Sequence, residues 1–357
     1  MKTEIIRLDF NNIDSARLRY AANILKNGGL VAFPTETVYG LGANALDETA
    51  VRNIFKAKGR PNDNPLIVHI AEKKSLSSIV SHMPSNASLL MDKFWPGPLT
   101  LVMPKSNIVP PVITAGLETV AVRMPLHPIA LALIKEAGVP VAAPSANTSG
   151  KPSPTTAKHV IEDLSGKVDI IIDAGSAQVG LESTVLDITV SPAMILRPGG
   201  VTSMDLERIL GIINVDPAIL TSISESIIPK SPGMKYTHYS PKADVIVIDG
   251  NLSGIVAKIR QLLADYSEKG IKAGILATDQ TIDLYALAKP VSEIISVGDR
   301  TNPETIASSL FKALRTFDEK GVDVILAEAV DKSGIGMAIM NRLNKAAGYK
   351  IIHADND

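Results

Sequence analysis

Two short segments hold the side chains best suited to chemistry in this chain. Lys58-Gly59-Arg60-Pro61 sets two cations astride a glycine. Arg supplies a planar fork and Lys a mobile point charge, a pair able to clamp a polyphosphate. The same run also reads as a helix end, with Gly59 past the last turn, Pro61 beyond it and the cations at the negative end of the dipole. The second segment, Ala143-Pro144-Ser145-Ala146-Asn147-Thr148-Ser149-Gly150, follows an apolar strand. It crowds hydroxyls, an amide and backbone N–H groups into one loop, donors that suit anionic oxygens; an ordinary Ser/Pro surface loop is the plain alternative. No Gly-x-Ser-x-Gly elbow surrounds Ser145, so it is not an obvious acyl-transfer nucleophile.

Further polar groups lie in otherwise apolar runs. Thr35, Glu36 and Thr37 follow a strand and are more polar than a plain turn requires. Arg123 interrupts Val120-Ala121-Val122, and Arg197 ends a strand beside Gly199-Gly200. Taken singly, each arginine faces solvent in the commoner case; together, in one small domain, they suggest an anionic-substrate pocket. Two glycine patterns are weak. Gly40-x-Gly42-x-x-Ala45 lacks the direct strand-to-helix turn of a dinucleotide fingerprint and reads as a glycine turn packed under a helix. Gly175 and Gly180 have the spacing of a phosphate loop, but Leu181 stands where its lysine belongs.

Composition narrows the chemistry. With 357 residues, 45% hydrophobic and 20% charged, the chain suits two globular domains. It has no cysteine, which excludes disulfides, thiolate metal sites and cysteine nucleophiles. Its six histidines show no ligand spacing, so no protein-held metal is expected. Basic residues total 36 and acidic 37, giving a net charge of −1. Up to Leu210 the balance is 20 to 19 and beyond it 16 to 18, so neither half is a polybasic module. The N-terminus lacks the apolar stretch of a signal peptide, and no run is long enough to span a bilayer; a cytoplasmic location without membrane contact is expected.

These groups need a scaffold. Short apolar runs bracketed by Pro or Gly predict strands at Leu30–Phe33, Leu66–Ile70, Leu99–Met103, Val120–Met124, Val139–Ala143, Ile170–Asp173, Thr184–Ile188 and Met194–Leu196. Helices are predicted at Ile13–Lys26, Glu48–Ala57, Ser85–Phe94, Pro128–Ala137, Thr156–Leu164 and Ser203–Leu210. This is an α/β (α+β) domain, residues 1–210, with helices on a twisted mixed sheet. Periodicity fails over residues 211–243, rich in Pro and Gly, which reads as a linker. Residues 244–357 alternate strands (Val245–Ile248, Ala273–Ala277, Glu293–Val297, Val322–Glu328) with helices (Leu252–Tyr266, Glu304–Asp318, Ile335–Ala347). That pattern predicts a small doubly wound, Rossmann-like parallel domain.

Six segments carry a resemblance in the same order: Phe33–Gly42 (FPTETVYGLG), Lys58-Gly-Arg60-Pro, Trp95–Thr100 (WPGPLT), Val122–Pro125 (VRMP), Ala143–Asn147 (APSAN) and Glu182–Thr184 (EST). They resemble the threonylcarbamoyl-AMP synthase family, with its YrdC-like catalytic domain. Ser231–Pro241 (SPGMKYTHYSP) and the β-α segment after it resemble the family's longer, two-domain form. The resemblance implies synthesis of threonylcarbamoyl-AMP and pyrophosphate from L-threonine, bicarbonate or CO2, and ATP, a nucleotidyltransferase reaction that is the first step of N6-threonylcarbamoyladenosine formation in tRNA. It implies Mg2+ carried with ATP, and a downstream threonylcarbamoyl transferase acting on tRNA as partner.

Carried over residue by residue, it implies catalytic roles for Lys58, Arg60, Ser145 and Asn147. It implies a threonine subsite at Thr35, His69, Arg123, Ala143 and Ser183, with Arg123 on the carboxylate. The same carry-over gives an ATP subsite of Lys58, Arg60, Asn62, Thr119, Ser145, Asn147, Ser153, Arg197, Tyr236 and His238. A buried strand histidine with a structural hydrogen bond is the plain reading of His69. Two other classes compete. An RNA-binding module is disfavoured by the 20 to 19 charge balance, which leaves at most a weak RNA contact. A carbamoyltransferase of the kind that uses carbamoyl phosphate would bring metal-binding His or Cys sets, which the composition lacks.

Overall fold

The computed structural model describes residues 1–219, 239–286 and 291–354. The chain divides into two compact units, residues 1–149 with 153–236, and residues 150–152 with 237–357. The first contains β1 (Glu4–Arg7), α1 (Ser15–Lys26), β2 (Val31–Phe33), β3 (Gly40–Asn44), α2 (Glu48–Lys58), β4 (Ile67–His69), α3 (Leu76–Ile79), α4 (Ala87–Phe94), β5 (Leu99–Pro104), α5 (Pro111–Thr114), β6 (Thr119–Arg123), α6 (Pro128–Ala137), β7 (Val141–Ala142), α7 (Ala157–Leu164), β8 (Ile170–Asp173), β9 (Thr184–Asp187), β10 (Ala193–Arg197), α8 (Ser203–Leu210) and β11 (Ile213–Val215). Its strands form one mixed sheet in the order β1-β8-β2-β3-β7-β4-β6-β5-β9-β10-β11.

The predicted strands and long helices of this unit all form, within a residue or two at most ends. Two expectations are corrected. Gly40–Asn44 is a strand, antiparallel to β2, instead of a glycine turn. Its glycines serve close packing: a Cβ on Gly42 would lie 2.8 Å from the Phe33 ring and 3.0 Å from Val141 Cγ1. Residues 213–215, expected in the linker, pair in parallel with β10 as β11. The missing signal is brevity, since three residues are too few to show alternation.

Period-two alternation gives the middle of the sheet two different faces. Val68 on β4, Val122 on β6, Leu99 and Leu101 on β5 and Leu186 on β9 enter the main apolar core with α2, α4 and α5. Ile67, Ala121, Val102 and Val185 turn to the opposite face and form a small second cluster with Leu196. The polar residues of interest share that second face.

The second unit contains β12 (Asp244–Asp249), α9 (Leu252–Glu268), β13 (Ala273–Ala277), α10 (Ile282–Ala286), β14 (Glu293–Ser296), α11 (Pro303–Lys320), β15 (Val324–Glu328), α12 (Gly336–Ala346) and β16 (Ile351–His353). Its strands are all parallel, ordered β14-β13-β15-β12-β16. The chain steps outward from β12 to β14 and then returns through β15 to β16. Right-handed crossovers therefore put α9 and α10 on one face and α11 and α12 on the other, a doubly wound arrangement. Ile255, Ile259 and Leu263 of α9 pack with Ile275 and Leu326 in its core. Among the described residues no helix is long and apolar enough to cross a membrane.

Candidate functional site

Strand register assembles the centre of the site. On β6, Arg123 pairs with His69 of parallel β4 and with Thr100 of antiparallel β5. Paired residues project to the same face about 5 Å apart, so one row holds His69, Arg123 and Thr100. β5 pairs next with β9, whose preceding residue is Ser183. Ser183 Oγ lies 2.8 Å from Thr100 Oγ1 and accepts from Arg197 Nη2 at 3.1 Å, while Arg197 Nε donates to Ser183 O at 3.0 Å. The row thus continues through Ser183 to Arg197. Each of the five residues is buried, Arg123 at 4% and Arg197 at 7% exposure.

Gly199 allows Ser183 to sit there. A Cβ on it would stand 2.3 Å from Thr184 N, 2.5 Å from Glu182 O and 2.5 Å from Ser183 C, all backbone atoms. His69 is kept neutral: burial, and then the nearby Arg123, push its pKa down to about 3. Its Nδ1 is buried without a hydrogen-bond partner.

The loop after β2 closes over Arg123. Nη1 donates to Thr37 Oγ1 at 2.9 Å, Nη2 to Glu36 Oε1 at 2.6 Å, and Nε to Gly97 O at 3.2 Å. Thr35, an expected threonine ligand, organises this loop: its Oγ1 donates to Val38 O at 2.6 Å and accepts from the N–H groups of Thr37 and Val38 at 3.2 Å.

The second part of the site joins α2 to the loop after β7. Asp47 caps the start of α2 through Thr49 N and Ala50 N, and Gly59, in the left-handed region, ends it. The helix-end reading of Lys58-Gly59-Arg60 therefore holds, and it places Lys58 on the inner side at 2% exposure. Lys58 Nζ donates to Ser145 O and Asn147 O, both at 2.5 Å, and Ser149 N donates to Lys58 O at 2.9 Å. Leu41 N to Pro144 O and Ala146 N to Tyr39 O, each 2.8 Å, tie the same loop to β3. Arg60 Nη2 reaches Asn64 O and Pro65 O at 3.4 and 3.3 Å. Ser153 Oγ hydrogen-bonds Glu182 Oε1.

Thr119 lies at the far end of β6 from Arg123, roughly 13 Å away at strand rise. Asn62 is exposed in the turn after α2. The N–H of Ala143 is taken by Ile67 O at 3.0 Å. Tyr236 and His238 lie outside the described residues. Three buried participants, Thr100, Glu36 and Glu182, have no site role assigned from the sequence, although Glu36 stands out there with Thr35 and Thr37 and the other two lie in the WPGPLT and EST segments. A lone hydroxyl within the apolar run Leu99–Met103 is the local signal that could have marked Thr100. Among the described residues no group of three or more His, Cys, Asp or Glu is placed to hold a metal.

A mixed sheet gathering buried cations and hydroxyls on one face, with a separate all-parallel domain, is the architecture of the Sua5/YciO/YrdC class in its two-domain form. The profile of that class, described as "Telomere recombination", matches residues 23–199, and that of the threonylcarbamoyl-AMP synthase C-terminal domain matches residues 201–348. The chain is 52% identical to the threonylcarbamoyl-AMP synthase of Pyrococcus abyssi, covering 95% of this chain and 96% of that one. It is 49% identical to that of Bacillus subtilis, covering 94% of each. The crystal structure of P. abyssi Sua5 complexed with L-threonine superimposes with a TM-score of 0.92 at 51% identity, over 98% of this chain and 99% of that one.

The chain belongs to the threonylcarbamoyl-AMP synthase family. Its activity is that of a threonylcarbamoyl-AMP synthase.

Proposed function

We propose that the chain works as a nucleotidyltransferase whose site divides into a threonine side on the sheet face and a nucleotide side at the end of α2. The carrying observation is the buried row His69, Arg123, Thr100, Ser183 and Arg197, which sets two guanidiniums and two hydroxyls side by side on one face of the sheet.

On the threonine side Arg123 takes the substrate carboxylate, with Ser183, neutral His69, Thr35 and the Ala143 backbone around the rest of the amino acid. The threonine amine, as its free base, captures CO2 to form a carbamate. A carbamate oxygen then attacks the α-phosphorus of ATP, and the bond to the bridging oxygen of pyrophosphate breaks. Such a displacement needs alignment and charge stabilisation and no enzyme nucleophile. Lys58, Arg60 and Arg197 stabilise the phosphates, while Ser145, Asn147 and Ser153 supply donors on the nucleotide side. Asn62, Thr119, Tyr236 and His238 complete the ATP contacts. Mg2+ enters as part of the MgATP substrate.

The labile adenylate passes to a threonylcarbamoyl transferase acting on tRNA, in the cytoplasm, with at most a weak RNA contact by this chain. Incubation with ATP, L-threonine and labelled bicarbonate tests the reading. The expected products are pyrophosphate and a labelled adenylate, both dependent on threonine; pyrophosphate release that ignores threonine would sink it.

A further inference from the structure

Arg123 and Glu36 form a buried ion pair, each side chain 4% exposed. A guanidinium carries five N–H donors. Three of those on Arg123 go to Gly97 O, Thr37 Oγ1 and Glu36 Oε1, leaving one on each terminal nitrogen. Because Thr35 Oγ1 gives its proton to Val38 O, the Thr37 hydroxyl, 2.9 Å away, donates to Thr35 Oγ1 while its own oxygen accepts from Arg123. The loop therefore has one hydrogen-bond direction, running from the guanidinium outward.

Glu36 Oε2 is buried and meets no donor. A carboxylate present only to stabilise the fold would be expected to have both oxygens satisfied. A guanidinium buried this deeply is in turn strongly unfavourable without a countercharge. Both features make sense if the pair serves Arg123 and not the loop.

We propose that Glu36, backed by Thr37, is a positioning residue for the amino-acid substrate. It holds the Arg123 guanidinium in one orientation before threonine arrives, so that the two remaining N–H groups receive the carboxylate without reorganisation. Preorganisation of this kind raises affinity by lowering the cost of ordering on binding. The inference rests on the assignment of the threonine carboxylate to Arg123.

The test compares E36A, E36Q and R123K in the full chain. In E36Q an amide oxygen can still accept from Nη2 although the countercharge is lost, so threonine KM should rise by clearly less than in E36A. In E36A threonine KM should rise about tenfold or more while ATP KM stays within about twofold, the split expected when one substrate's subsite loses its ordering. Separate Nη signals from a rotationally fixed Arg123 should appear in the wild-type side-chain NMR spectrum and average together in E36A. Unchanged threonine KM in E36A, or equal rises for threonine and ATP, overturns the proposal. If E36A does not fold, Thr37→Val takes its place with the same two outcomes. R123K separates the two ideas. If it loses threonine binding and E36A does not, only the positioning role falls; if it binds threonine normally, the carboxylate assignment itself has failed.

Discussion

Lys58 Nζ lies 2.5 Å from the carbonyl oxygen of Ser145, and the same amine reaches Asn147 O at 2.5 Å. Two of its three N–H donors thus meet the backbone of a loop more than 80 residues away. The link has a local cause on each side. Gly59 stops α2 at the residue after Lys58, and β3 fixes the loop through Leu41 and Ala146. The lysine is both a cation of the site and the tie that shapes its donor loop.

Lys58→Met keeps the alkyl chain and removes the charged donor. Its kcat/KM for threonine-dependent pyrophosphate release should fall at least about 100-fold, the scale of losing one preorganised cation or oxyanion donor. The loop should also loosen. Amide exchange at Ala146 and Ser149, protected by Tyr39 O and Lys58 O, should quicken in the variant. Full activity with unchanged exchange would refute both roles.

His69 gives a pH dependence of known sign. Its native pKa, about 3, lies below the ordinary 6.5 because burial and Arg123 oppose a charged ring. As pH falls from about 6.5 the unfolded chain takes up a proton that the native chain refuses. Stability from this residue is therefore complete above that range and is lost on acidification towards pH 3, by at most about 1.4 kcal/mol per pH unit. Urea unfolding near pH 7 and near pH 5 should show a stability loss in wild type larger by about 2 kcal/mol than in His69→Gln, which cannot titrate. Equal losses in the two proteins would mean the ring is not held neutral.

The sequence reveals segments better than it reveals their pairing. Ile170–Asp173, Ala273–Ala277 and Pro128–Ala137 match the structure at both ends, because turn residues bracket a clear apolar run. Lys58, Arg60 and Ser145 stand out as chemical residues, since charge and hydroxyl density are visible locally. The row from His69 to Arg197 is not visible in this way. Its members are scattered from β4 to β10, and only register decides that they share a face; a one-residue slip would send each to the other side. Gly40 and Gly42 mislead for a related reason. Glycine is read as turn chemistry, whereas here the missing side chains make room for Phe33 and Val141 from neighbouring strands.

Gly199→Ala tests close packing at the threonine side. The new methyl would clash with three backbone atoms of residues 182–184, none of which can move as a flexible side-chain end could. The segment must shift, taking Ser183 with it. A stability loss of about 2–4 kcal/mol is expected, in the range of core overpacking and backbone strain. Threonine KM measured on the folded fraction should rise more than ATP KM. A variant with wild-type Tm and kinetics would show that residues 182–184 tolerate displacement.

Arg197 is assigned to the phosphates, yet it donates to the carbonyl and hydroxyl of Ser183, which is proposed for the threonine side. The assignment and the geometry agree if Arg197 joins the two substrates, holding Ser183 in place with Nε and Nη2 while its charge acts on the phosphate. That makes the effects of the two residues non-additive. Arg197→Ala should raise KM for both ATP and threonine, and Ser183→Ala for threonine alone. In the double variant the threonine effect should be smaller than the sum of the single effects by about 1 kcal/mol, the usual coupling of side chains in one hydrogen-bond network. Additive threonine effects would separate the residues, leaving Arg197 to the nucleotide and Ser183 positioned by Thr100 and the close packing at Gly199.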